Sequence, residues 1–220
     1  MSELIEELEK EVRNQIIYVI GGGMSFNPKA DYVKNIPKER TICLNSALSD
    51  FDECLACMFM DSSWYTNNKK LLSEGRQKYA IRVNLDKRRL SPQVNDNVIY
   101  LRNANISKCS FEPNYRLKPY DVSGNNIGVC AIDLLEQLGA KTIYLLGFDC
   151  SSNDDQKSHY HEKYNRVVKQ KTYDDKMLPC FENLRSHLEK RKSQFKVINL
   201  SPVTNIKSIP RKSLKNFDFP

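Results

Sequence analysis

Two of the chain's three histidines, His159 and His161, flank Tyr160 in SHYHEKYN, residues 158–165. A loop imidazole titrates near neutral pH and can take a proton from a hydroxyl. Acid/base work or substrate contact is therefore favoured over zinc, because no cysteine or acidic ligand set converges on the pair in sequence. The third, His187, lies among Arg and Lys on a predicted helix and reads as a surface residue. A second constellation is IIYVIGGGMSFN, residues 16–27, which puts three of the eight glycines, Gly21, Gly22 and Gly23, directly behind an apolar run and just before Ser25. Glycine serves where a Cβ is forbidden or where something must come close to the backbone. Its amides can turn toward an oxyanion, and a merely tight turn is the alternative. The spacing is neither G-x-G-x-x-G nor G-x-x-x-x-G-K-[ST], which argues against NAD binding and against Walker-type hydrolysis.

A third constellation is DVSGNNIGVCAIDLLEQLGAKTIYLLGFDC, residues 121–150. Ser123, Gly124 and Asn125 stand where a helix begins, offering a cap and free amides. The next apolar run delivers Asp149 to the same edge, as a candidate catalytic carboxylate or as the Asx residue of a turn. Cys54 and Cys57 form a C-x-x-C without a second such pair or a spaced histidine pair, and they run into an apolar strand, so no chemistry is assigned to them.

These residues are positioned by alternating elements. The runs IIYVI, RTICLNSA, LACMFMD, YAIRVNL, NVIYLRN, TIYLLGFD and FKVINLS are short, β-branched and nearly continuous in apolar character, with amphipathic segments between them. That is the pattern of a mostly parallel sheet covered by helices on both faces, a single Rossmann-like α/β domain over residues 1–220. Helices are expected over 2–14, about 65–75, 125–138 (ending at Gly139) and 175–192, with Pro179 in the first turn of the last. Residues 103–124 and 150–174 show no periodicity, and 150–174 is read as an active-site loop region. Ligands of parallel sheets bind at the carboxyl ends of the strands. The residues following the runs, including Gly21–Gly23, Ser25, Asn45, Asp61, Ser63 and Asp149, are small or polar, which suits a ligand bearing phosphates.

At 220 residues the chain can bury a sizeable core, and 40% hydrophobic with 28% charged residues excludes a mostly disordered protein. Its apolar runs are far shorter than the ~20 residues that cross a bilayer, and its acidic start lacks an apolar signal core. Seven scattered cysteines suit free thiols in a reducing compartment, so a cytoplasmic protein without membrane attachment is expected. The net charge of +7 is compatible with a polyanionic partner.

Taken in order, IGGGMS, ICLNSA, MFMDSSWY, VSGNNIGVCAIDLLEQLGAKTIYLLGFDC, SHYH and VINLSPVTNIKSIP resemble an α/β group that contains bacterial sialyltransferases of the Campylobacter type, 6-hydroxymethylpterin diphosphokinase-like proteins and many phage proteins, the last most closely. The resemblance covers roughly residues 16–212. It implies a nucleotide-dependent transferase, phage-encoded and acting in the host cytoplasm. The donor nucleotide would be held by Gly22, Gly23, Ser25 and Asn45, with Gly21 beside them, and by Asp61, Ser63, Ser123 and Gly124. His161, then His159, would be the base on the acceptor hydroxyl. Asp61 stands where the sialyltransferases carry asparagine, which moves the chain away from a CMP-sialic acid donor.

The leading expectation is a glycosyltransferase with a nucleotide-sugar donor, no tightly bound cofactor, and a small molecule or hydroxylated DNA as acceptor. Nucleic acid as acceptor and a homo-oligomer both remain open. One alternative is a Mg-ATP-dependent diphosphokinase acting on a pterin-like alcohol, with Asp61 and Asp149 on the metal. The other is a noncatalytic protein that binds or sequesters a nucleotide.

Overall fold

The computed structural model describes residues 3–84, 98–105, 120–152, 159, 168–191, 194–215 and 217–220. Eight strands form one sheet in the order β6-β5-β4-β3-β2-β1-β7-β8. They are β1 (Ile16–Ile20), β2 (Thr41–Leu44), β3 (Ala56–Phe59), β4 (Tyr79–Asn84), β5 (Val98–Asn105), β6 (Val122–Ser123), β7 (Thr142–Leu146) and β8 (Lys196–Asn199). Every neighbouring pair is parallel, as a Rossmann-like α/β sheet requires. Seven of these strands coincide with the apolar runs. The eighth, β6, is two residues long and carries no period of its own; it pairs with β5 across a shift in register.

Alternation along the strands splits the core in two. Ile17, Val19, Ile42, Leu44, Met58 and Ile81 point to a layer made by α1 (Glu3–Val12), α4 (Ile127–Gln137) and α6 (Leu178–Lys190). In α1 the buried residues are Ile5, Leu8 and Val12, the 3–4 spacing that puts one stripe on the sheet. Each contributes about 2 kcal/mol by leaving water. Tyr18, Ile20, Cys43, Cys57 and Phe59 point the other way, to Ala47 and Leu48 in a 3-10 turn, Trp64 in α2 (Ser62–Asn67) and Leu72 in α3 (Lys69–Glu74). The C-terminal residues Phe217 and Phe219 finish that layer. Phe217 packs edge-on to Tyr144 at 4.7 Å, and Phe219 lies 5.6 Å from Tyr18.

The helix expected over 65–75 starts earlier and is broken at Asn68 (φ −119°), whose side-chain amide donates to the Trp64 carbonyl at 2.8 Å. The last long helix also starts earlier. Helical backbone begins with α5 (Gln170–Thr172), passes through a π segment at Tyr173–Met177 and continues into α6. Pro179, which has no N–H to give an i−4 carbonyl, stands in the first turn of α6 as expected, directly after the π segment. His187 is half-buried on α6, not a surface residue, because it stands three positions after Leu184, at the edge of the buried stripe of Phe181, Leu184 and Leu188. Among the described residues no helix is long and apolar enough to cross a membrane.

Candidate functional site

β1 has β2 on one side and β7 on the other, so chain connections leave it in opposite directions. Such a switch point opens a crevice at the carboxyl ends of the strands. A cavity of about 260 Å³ lies there. Gly21–Gly23 line it after β1, Asn45 after β2, Asp61 after β3 and Gly147–Cys150 after β7, with Asn125–Gly128 contributed by the start of α4. Tyr173, Met177 and Phe181 form the opposite wall, and His159 is also on the lining.

The glycines have a steric cause. The Gly21 amide donates to the Leu146 carbonyl and the Gly23 amide to the Gly147 carbonyl, both at 2.8 Å. A Cβ on Gly21 would stand 2.8 Å from the Gly147 oxygen, and one on Gly23 would stand 2.5 Å from it and 2.7 Å from Asp149 Cγ. Gly147 itself is left-handed (φ +68°), with its Cβ position 2.7 Å from the Gly21 oxygen. The exits of β1 and β7 therefore touch backbone to backbone, which only glycine permits. Two of the amides expected to face an oxyanion are consumed in holding those exits together.

Ser25 completes the clasp. Its amide donates to Asp149 Oδ2 at 2.6 Å and its hydroxyl to Asp149 Oδ1. Asp149 is only 3% exposed; burial raises its carboxyl above the ordinary carboxylate value, and the two Ser25 bonds pull it part of the way back. On its C-terminal side the loop is tied to the segment after β8. Ser201 Oγ accepts from the Phe148 amide at 2.8 Å, Asn199 Nδ2 and Thr204 Oγ1 donate to the Phe148 carbonyl, and the Asn205 amide donates to the Asp149 carbonyl at 2.8 Å. Cys150, left-handed at φ +48°, has its thiol pushed up to about 12 by burial and by Asp149, which keeps it protonated at neutral pH.

The N-terminus of α4 meets the cavity, and its cap is Asn126. The Asn126 side chain accepts from the Val129 amide at 3.0 Å, while the amides of Ile127 and Gly128 make no hydrogen bond among the described residues. Unspent donors at the positive end of an 11-residue helix face the cavity. Ser123 was expected to cap this helix, but it lies fully buried in β6, its amide donating to Asp133 Oδ2 at 2.8 Å. Gly124 (φ +145°) turns the chain behind the cavity, its carbonyl accepting from Asn103 Nδ2 at 2.6 Å. Sequence reading stopped three residues short of the cap, because the S-G pair and the N-N pair each resemble a helix start.

Asn45 is held left-handed at φ +51°, and its buried Oδ1 has no hydrogen-bond partner. An unmatched acceptor on a cavity lining awaits a donor. Asp61 lines the cavity while capping α2: Oδ1 accepts from the Ser63 amide and hydroxyl, both at 2.7 Å, and from the Trp64 amide. Ser63 thus serves Asp61 rather than the lining. Among the described residues no three of His, Cys, Asp and Glu come together as a metal-holding group. Asp61 and Asp149 share the cavity, with both Asp149 oxygens and Asp61 Oδ1 already committed as acceptors. His161 lies outside the described residues.

Cys54 and Cys57 are buried; Cys54 donates weakly to the Ala56 carbonyl, and burial holds the Cys57 thiol well above its usual value. The C-x-x-C is core, as its apolar surroundings imply.

The fold is an all-parallel Rossmann-like α/β sheet with its cavity at the switch point. A MAf glycosyltransferase from Magnetospirillum magneticum AMB-1 has this fold, matching the chain with a TM-score of 0.60 at 15% identity over 94% of its residues. The chain spans 35% of the length of that protein. No protein-family model and no curated protein matches the sequence.

Proposed function

We propose that the protein is a glycosyltransferase that binds a nucleotide-sugar donor in this cavity and passes the sugar to an acceptor hydroxyl. The observation that carries the reading is the set of unspent groups on one lining: the Ile127 and Gly128 amides as donors and Asn45 Oδ1 as acceptor. A nucleotide phosphate matches the first and a hydroxyl or amino group of the nucleoside matches the second.

In the reaction the acceptor oxygen forms a bond to the anomeric carbon as the bond from that carbon to the phosphate oxygen breaks. The departing phosphate keeps the electron pair, stabilised by the α4 amides in a partly dehydrated site. A histidine takes the acceptor proton. His159, on the lining, is the described candidate, and His161 is the second. Asp149, clasped by Ser25, holds the glycine exits in place. The fold shared with a glycosyltransferase is compatible with this chemistry.

The test is a thermal-shift screen of nucleotides and nucleotide sugars, with and without Mg²⁺, followed by turnover of whichever donor stabilises the protein. His159→Ala and His161→Ala should between them abolish transfer while leaving donor stabilisation intact. Transfer that survives the loss of both histidines would sink the mechanism. Stabilisation by Mg-ATP alone, lost with EDTA, would replace it with diphosphoryl transfer, and donor binding without turnover would leave a sequestering protein.

A further inference from the structure

Arg82 of β4 stands in register between Phe59 of β3 and Tyr100 of β5. Its guanidinium lies 4.6 Å from the centroid of the Tyr65 ring, and Tyr65 is itself stacked on Phe59 at 5.5 Å and 3°. Lys69 Nζ sits over the same ring at 5.6 Å. Arg13, Arg76, Arg102, Arg185 and Arg191 each pair with a carboxylate. Neither Arg82 nor Lys69 has one among the described residues; the polar contact of Arg82 is a long one, 3.4 Å to Ser62 Oγ. A guanidinium held over an aromatic ring has already lost much of its side-chain freedom and keeps N–H donors for a phosphate oxyanion. Ser62 follows Asp61, so this cationic platform adjoins the β3 edge of the cavity.

We infer that the Arg82–Lys69–Tyr65 platform binds the phosphodiester backbone of a single-stranded polynucleotide and leads it past the cavity rim. Charge complementarity names the occupant: the chain carries +7, and a positively charged path along the phosphates is how single strands are tracked without sequence readout. A membrane surface fits less well, since Val203 is the exposed large hydrophobic residue among those described and it lies elsewhere, after β8. Calling the bound strand the acceptor rests on the transferase reading; its binding does not.

The experiment measures fluorescence anisotropy of a labelled oligodeoxythymidine of about 12 nucleotides, within the ~4–16 spanned by known single-strand sites, over a salt series. Wild type should bind with a negative slope of log affinity against log salt. Arg82→Ala should weaken binding about tenfold and make the slope shallower by about 0.7, one phosphate contact on a single strand. Lys190→Ala, on the opposite face of the sheet, should change neither. If Arg82→Ala melts early, Arg82→Gln, which keeps the stacked plane without its charge, is read in its place. No salt-dependent binding by wild type, an unchanged slope in the Arg82 variants, an equal loss in Lys190→Ala, or tighter Arg82-dependent binding to anionic phospholipid vesicles each overturns the inference. Because no sugar transfer is measured, failure here leaves the transferase reading standing, and failure of transfer leaves strand binding standing.

Discussion

Ser25 and Asp149, 124 positions apart, are joined by two hydrogen bonds, amide to Oδ2 and hydroxyl to Oδ1, which lock the exits of β1 and β7 against each other. Burial, only partly offset by the clasp, gives Asp149 a pH signature. Its folded value is raised, so the folded state holds this proton more tightly than the unfolded chain. The resulting stability is fully present below the unfolded value of about 3.9 and is lost as pH rises through the folded value. The melting temperature of wild type relative to Asp149→Asn should therefore fall as pH climbs from about 4 toward neutrality. A difference that stays flat or rises would refute this assignment.

Gly23 and Gly139 separate steric need from conformational need. Gly23→Ala drives a Cβ into the Gly147 carbonyl and Asp149, and should cost about 3 kcal/mol in urea unfolding. Gly139 (φ +78°) has only Arg13 side-chain atoms at 3.6 Å, so Gly139→Ala should cost about 1 kcal/mol, the strain of a left-handed residue. Equal losses would mean that the β1–β7 crossing relaxes easily.

Arg102 forks onto Asp121, with Nε donating to Oδ1 at 3.0 Å and Nη2 to Oδ2, and the aspartate is nearly buried. Arg102→Ala strips the fork from that nearly buried carboxylate and should cost about 3 kcal/mol. The double variant Arg102→Met, Asp121→Leu should recover most of the loss, as a double-mutant cycle by urea melts would show.

Asn45→Gly should leave stability within about 1 kcal/mol of wild type, because glycine accepts φ +51° and the unmatched acceptor disappears. The same variant should lose donor stabilisation in the thermal-shift assay. Retained stabilisation would remove Asn45 from the site.

Thiol accessibility offers a further check on burial. Cys150, pushed up to about 12, and the buried Cys43 and Cys57 should react with a thiol reagent at pH 8 only as the protein unfolds. Cys150→Ser should leave any fast phase of the native protein unchanged.

Seven strands, the parallel sheet and most of the cavity rim were legible because each apolar run is local and the residue after it inherits its place at the sheet edge. The same logic found Gly21–Gly23, Asn45, Asp61 and Asp149. It could not tell what the glycines are for: their cause is Gly147, more than 120 positions away, and only the pairing of β1 with β7 brings the two together. Nor did it find Asn126 as the α4 cap: it placed the cap among Ser123, Gly124 and Asn125, and a two-residue strand paired to β5 takes Ser123 out of reach. Local pattern determines which elements form and which residues stand at their ends. Which amides are left for a ligand depends on hydrogen bonds between distant segments, and those exist only once the chain is packed.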